Sequence, residues 1–248
     1  MWRIDGSIAQ LAAEPLMGRL DLSRPADGLV AIRWHGRPVA DCRLLQVRAG
    51  TATDEAHMPL EAYVRGTDLL AAYDLSAADV RQRSAIRCHL CWRWISHQDV
   101  GACGLELTVS VQTELPDDDP SLSLGSDVAS SEALRLVDRT APRLEPLAAG
   151  LWRASDSPAA EGLGAFACRL AGQAGWYLEM MHPEDFASLS VGVGMPSVSV
   201  RSRFSVFGER LEKGVVRRSR IQGLLLVDAA AVTTCYRRFM DSPVPLTA

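Results

Sequence analysis

"SAIRCHLCWRWI", Ser84–Ile95, is the stretch on which the reading of this chain turns. Two cysteines three apart, with a histidine between them, have the spacing of half a zinc knuckle or of a redox pair. In an extended strand, however, successive side chains point to opposite faces. Ile86, Cys88, Leu90, Trp92 and Trp94 then form an apolar side, and Arg87, His89, Cys91 and Arg93 a largely polar one. Cys88 and Cys91 fall on opposite faces and cannot converge on a metal whose thiolate bonds are about 2.3 Å long. The Trp-Arg-Trp continuation also lacks the strand-to-helix turn that a thioredoxin-type pair requires. The stretch is predicted to be an amphipathic strand with structural cysteines, and neither a metal site nor a cofactor is expected.

The next segment, "GLELTVSVQT", repeats the split, with Leu105, Leu107, Val109 and Val111 against Glu106, Thr108, Ser110 and Gln112. An antiparallel register setting Trp94 by Leu105, Trp92 by Leu107, Leu90 by Val109 and Cys88 by Val111 matches both faces at once. It also sets Arg93 by Glu106, Cys91 by Thr108 and His89 by Ser110. Registers shifted by two residues satisfy the same pattern.

Period-two alternation dominates elsewhere. "LVAIRW" and "PVADCRLLQV" flank a turn at Gly36, and "LEAYVRG" and "LLAAYD" flank Gly66-Thr67-Asp68; both read as hairpins. Residues 114–132 break the pattern with Glu114, Asp117, Asp118, Asp119, Asp127 and Glu132 and no basic residue, and are predicted to be an acidic flexible linker or long loop. Further alternating segments follow, including "SVSVRSRFSVF" and "GVVRRSRIQGLLLV". "DAAAVTTCYRRFMDSP" reads as a C-terminal helix capped at Asp228, with Val232, Cys235, Tyr236, Phe239 and Met240 on one face and Pro243 and Pro245 ending it. A second short helix is expected over "SIAQLAAEPL".

The 248 residues suit one large β domain. Lysine and arginine total 26 against 30 acidic residues, a net charge of −4, so nucleic acid is disfavoured as a partner. No run approaches the ~18 apolar residues of a membrane span, and the amino terminus has no signal-peptide pattern. With six cysteines and no export signal, reduced thiols and a cytoplasmic location are expected.

Three groups of residues carry candidate chemistry. Arg201, Arg203, Arg218 and Arg220 lie in a basic segment, two on each of two consecutive strands; if those strands adjoin, the four guanidinium groups meet on one sheet surface suited to an anion. Glu179 and His182, in "WYLEMMHPEDF" with Glu184 and Asp185, are the best acid–base pair. Glu184 and Asp185 equally fit a helix first turn after Pro183. His89 and Arg93, with Glu106, form a polar patch that a cross-strand ion pair explains as well.

"LEKGVVRRSRIQG", "CWRW" and the terminal "SPVPLT" resemble uncharacterised bacterial all-β proteins, a resemblance that implies no activity and transfers no residue role. The expected fold is mainly β: a large antiparallel β-sandwich of two packed sheets with a C-terminal α-helix. A faint echo between the halves suggests a duplicated unit. Sugar mutarotases share that architecture, an analogy at fold level only. The expected function is non-catalytic binding of an anionic ligand or protein partner through the arginines. The alternatives are a carbohydrate-active enzyme, epimerase or lyase, using His182 and Glu179, and a homo-oligomer built through exposed sheet edges.

Overall fold

A computed structural model describes residues 1–49, 57–75, 86–114, 120–154, 164–194 and 199–243. Five strands, β1 (Trp2–Asp5), β2 (Ile8–Ala13), β3 (Leu16–Asp21), β4 (Val30–Trp34) and β5 (Arg37–Pro38), form a small antiparallel sheet in chain order. The helix expected over "SIAQLAAEPL" is absent. Ala9 and Leu11 alternate inward against outward Gln10 and Ala12, and burying that face on a sheet outweighs the helix propensity of alanine.

The remaining strands are β6 (Cys42–Ala49), β7 (Glu61–Arg65), β8 (Asp68–Leu75), β9 (Ile86–His97), β10 (Ala102–Thr113), β11 (Leu122–Val137), β12 (Arg143–Pro146), β13 (Gly150–Ala154), β14 (Ala165–Leu170), β15 (Trp176–Met181), β16 (Ser188–Val193), β17 (Ser199–Val206) and β18 (Val216–Leu226). They make one hydrogen-bonded path, β13-β16-β17-β11-β14-β15-β18-β10-β9-β8-β7, with β6 and β12 also pairing β11. The 16-residue β11 belongs to two layers. Its first half pairs with β6 and β17, its second with β12 and β14, and register shifts fall at Gly125/Asp127 and Ser130/Glu132. The path thereby folds into a sandwich: a smaller layer of β6, β11, β17, β16 and β13 faces a larger one running from β14 to β7.

β11 corrects the expectation of an acidic linker. Residues 122–132 are ordered strand, because Leu122, Leu124 and Val128 alternate inward while Asp127 faces outward to arginines. Residues 115–119, which hold the Asp117–Asp119 run, lie outside the described residues. The first hairpin forms with an irregular middle: β4 pairs Arg37–Pro38 at the tip, the Val39 amide donates to the Ile32 carbonyl at 2.9 Å, and Leu29 bridges Leu44 at the base, while β6 also pairs with β11. The Gly66 hairpin forms as read. The β9–β10 register sets Trp94 against Leu105 and Cys88 against Val111, as expected. The echo between halves does not extend to the pairing: β9 pairs its successor, whereas β17 pairs β11 and β16.

The inner faces of both layers and the apolar side of the small sheet share one core, including Leu20, Ile32, Tyr73, Trp92, Leu107 and Phe204. The hydroxyl of Tyr73 donates to the Leu22 carbonyl at 2.8 Å, tying β8 to the small sheet. The C-terminal helix α1 (Ala231–Asp241) buries Val232, Cys235, Tyr236 and Phe239 against Ala167, Leu178, Met180, Leu224 and Leu226 on the outer face of the larger layer. Asp228 accepts from the Ala230 amide at 3.0 Å ahead of the helix; Pro245 lies outside the described residues. No helix among the described residues is long and apolar enough to cross a membrane.

A Cβ at Gly125 would overlap the backbone carbonyl oxygen of Ser202, which cannot swing away. Gly125→Ala should cost about 1–3 kcal/mol, read as a lower denaturation midpoint at unchanged slope. Gly192→Ala, whose Cβ would meet nothing closer than 3.9 Å, is the tolerant comparison.

Candidate functional site

Strand alternation separates the predicted acid–base pair. Glu179 lies on β15 opposite Gly223 and points between the layers, fully buried. Its carboxylate accepts from the hydroxyls of Tyr177 (2.7 Å), Ser126 and Ser202, the last two on β11 and β17 of the opposite layer. Burial pushes its pKa up against the opposing effect of those three donors. His182 follows the strand's end; burial lowers its pKa, with Arg139 and Arg220 adding to the effect and Glu184 opposing it. Glu179 therefore works as a sealed structural group rather than with His182, since no substrate reaches a side chain locked between sheets.

The four arginines are also divided. Arg201 and Arg203 project from the smaller layer, both bonded at 3.1 Å to Asp127. Burial lowers the pKa of Arg203, with Arg48 adding to the effect. Arg218 and Arg220 project from the outer face of the larger layer, because β18 pairs β10 and β15 rather than β17. The single sheet surface carrying all four does not form.

Arg220 is buried under the end of α1. Its guanidinium stacks on Phe239 at 4.8 Å and donates to Ser242 at 2.8 Å. Its Nε lies 3.7 Å from the Glu106 carboxylate, close enough to attract but too long for a hydrogen bond. Glu106 accepts instead from Gln222 at 2.7 Å. The Asp185 carboxyl approaches the Arg220 amide at 3.4 Å, and burial raises its pKa to about 6. A small cavity of about 190 Å³ opens beside it, bounded by Glu184, Asp185, Phe207, Arg217 and Arg218 among others.

His89 and Arg93 lie on this same outer face, with Cys91 between them. Arg93 adjoins Glu106 across the strands as expected, yet its guanidinium grips Asp68 on the other side through two bonds of 2.9 and 2.8 Å. That pairing holds the Asp68 carboxyl below its usual range. Burial pushes the thiols of Cys88 up to about 12 and of Cys91 up to about 11, so neither is a thiolate at neutral pH. No group of three or more His, Cys, Asp or Glu among the described residues is placed to hold a metal.

A larger groove, of about 640 Å³, opens where β2–β4 and the turn after β3 meet β6 and β11. Its charged lining is Arg19, Arg24 and Arg43 with Asp21, Asp27, Asp41 and Asp127; Ile8, Val30, Ala31, Val39 and Cys42 supply the apolar part. Arg24 and Arg43 reach Asp27 at 3.2 and 2.8 Å, while Asp127 carries Arg201 and Arg203 at the rim. Two Ser23 bonds to Asp21 lower that carboxyl's pKa against the desolvation that would raise it. Such partly exposed ion pairs stabilise a fold by only ~0.2–1 kcal/mol each, so a ligand can exchange them at little cost. Two non-glycine residues of the lining, Ala31 (φ +52) and Asp41 (φ +48), have left-handed backbones. His35, Leu45, Asp138 and Phe207, outside the groove, share that conformation, and aspartate tolerates it better than alanine does.

Sequence reasoning missed this groove. Its residues come from four separated stretches that only the β6–β11 and β3–β4 registers bring together, and Asp127 lies in the stretch whose acidic composition predicts a linker.

No protein-family profile and no curated protein matches the sequence. Solved structures do match in shape. A TPR-domain containing protein from Parabacteroides distasonis superposes with a TM-score of 0.59 at 7% identity, over 96% of this chain but 49% of that one, so the chain spans about half its length. A galactose mutarotase-like protein from Clostridium acetobutylicum matches at 0.55 and 9% identity, over 90% of this chain and 97% of that one. A proposed aldose 1-epimerase from Klebsiella pneumoniae matches at 0.59 and 8% identity, over 94% and 83%. At these identities the likeness shows the fold alone: a mutarotase-like β-sandwich.

Asp185 gives a pH test. Its folded pKa lies above the ordinary 3.8, at about 6, so the native state holds the proton more tightly. The stability this confers is full below the unfolded value and falls as pH rises from about 4 to about 6. Denaturation midpoints should lose this decline in Asp185→Asn; equal pH slopes in both proteins would contradict the assignment.

Proposed function

We propose that this protein binds a polyhydroxylated, carbohydrate-like ligand, without transforming it, in the groove between the small sheet and the smaller sandwich layer. The observation that carries the reading is the lining of that groove, three arginines against four aspartates around an apolar strip in about 640 Å³. That volume is within the ~300–1,000 Å³ of ordinary ligand sites. Guanidinium and carboxylate groups are planar and bidentate, and between them match the donor and acceptor sides of adjacent hydroxyls. A sugar's C–H face suits Val30, Ala31 and Val39. The near balance of charge favours a neutral or weakly charged ligand over the anion that four converging arginines would have favoured. The mutarotase-like fold supports carbohydrate as the class, though fold alone does not assign chemistry. Six free cysteines support a reducing compartment such as the cytoplasm.

A second reading, sugar epimerisation, draws on Asp185 and His182 in one turn beside Arg220: a carboxyl raised to about 6 and an imidazole whose pKa burial lowers are suited to trade protons near neutrality. This pair replaces the Glu179–His182 pair that the fold separates.

Calorimetric titration with D-galactose, D-glucose and their oligosaccharides should give binding that Arg43→Ala and Asp27→Ala each weaken about tenfold, at unchanged melting temperature. Binding indifferent to both substitutions would contradict the groove. Polarimetry of fresh α-D-galactose separates the second reading. The binding account expects the uncatalysed rate; acceleration that Asp185→Asn cuts about a hundredfold or more would establish the enzyme instead.

A further inference from the structure

The larger layer ends at β7, which among the described residues pairs with β8 alone. Alternate peptide groups of its outer edge therefore point away from the ladder, a configuration that invites another strand. Its sequence is Glu61-Ala62-Tyr63-Val64-Arg65, and Met58, Leu60, Tyr63 and Val64 are all exposed large hydrophobic side chains. At the opposite end of the path, β13 reads Gly-Leu-Trp-Arg-Ala and has no acid to answer its arginine.

The five residues of β7 are complementary to themselves. If a second β7 lies antiparallel across a two-fold axis at Tyr63, Glu61 of each copy faces Arg65 of the other, and Tyr63 faces Tyr63. Tyr63 shares the outer face with Leu70 across the ladder, and Glu61 and Arg65, at even spacing, lie on that face with it. The outer face thus gains two cross-strand ion pairs around an aromatic pair. The inner face gains two Ala62–Val64 contacts, next to the core against which Ala62 already packs. A two-fold axis requires a patch complementary to itself, and the even spacing of Glu61 and Arg65 about Tyr63 provides one.

We infer that the chain forms a two-fold homodimer by edge-to-edge pairing of β7, extending the larger layer continuously through two subunits. The partner is a second copy because the charge order matches itself, whereas a foreign strand has no claim to that match. The interface lies on different strands from the groove, so the dimer stands or falls independently of ligand binding.

Sedimentation equilibrium of the full chain across the micromolar range tests this. The wild type should be dimeric at the upper end. Glu61→Arg, which sets arginine against arginine twice per dimer, should weaken association about tenfold or more. The double swap Glu61→Arg/Arg65→Glu should restore it, and because both positions are exposed the melting temperatures should coincide at concentrations where every variant is monomeric. A wild type that stays monomeric, a dimer indifferent to Glu61→Arg, or a double swap no stronger than the single variant each overturns the inference.

Discussion

A carboxyl with no access to water dictates how the two layers of this sandwich meet. Stranding Glu179 without partners would cost several kcal/mol, and its partners are Tyr177 on its own strand and Ser126 and Ser202 on the facing layer. Those serines are themselves committed: Ser126 also accepts from the Leu45 amide at 3.0 Å, and Ser202 from the Ser126 amide at 2.8 Å. The bulge in β11 turns Ser126 inward, and Gly223 makes room for the Tyr177 ring, whose hydroxyl would lie 2.5 Å from a Cβ there. Apolar packing alone tolerates sliding between sheets, whereas this network admits one relative position.

Everything outward of that network is consequently split. Once the layers are fixed, Arg201 and Arg203 face away from one side of the sandwich and Arg218 and Arg220 away from the other. The chain answers two of these guanidinium groups locally: Asp127 for Arg203, Glu106 and Phe239 for Arg220. A groove larger than the cavity beside Asp185 stays open where the small sheet leans on β6 and β11. Its ion pairs are too exposed to contribute more than marginally to holding the fold together. Pairs that weak can be exchanged for a ligand at little cost, which is why the proposed binding is placed there.

Much of the architecture was legible because period two is a strong signal when one face is buried. Cys88, Leu90 and Trp92 against Leu107, Val109 and Val111 gave the correct strand register, and the spacing of Val232, Cys235, Tyr236 and Phe239 gave the helix. Two misreadings had a common cause, composition outweighing alternation: alanines suggested a helix in β2, and acids suggested a linker in β11. The site was less legible. Parity within β15 alone could have separated Glu179 from the turn that carries His182. Nothing local announces that Asp21, Asp27, Asp41 and Asp127 gather around one groove, because the pairing of β6 with β11 is set by a contact between distant parts of the chain.

Hydrogen exchange with and without a galactose-containing oligosaccharide mixture tests the central claim most directly, since it locates binding without assuming the residues. The account predicts slowed exchange confined to amides around residues 19–31 and 39–43, with the β15 and β18 segments around His182 and Arg220 unchanged. Protection centred on residues 182–187 and 217–220, with none in the groove, would contradict it and move the site to the other face of the molecule.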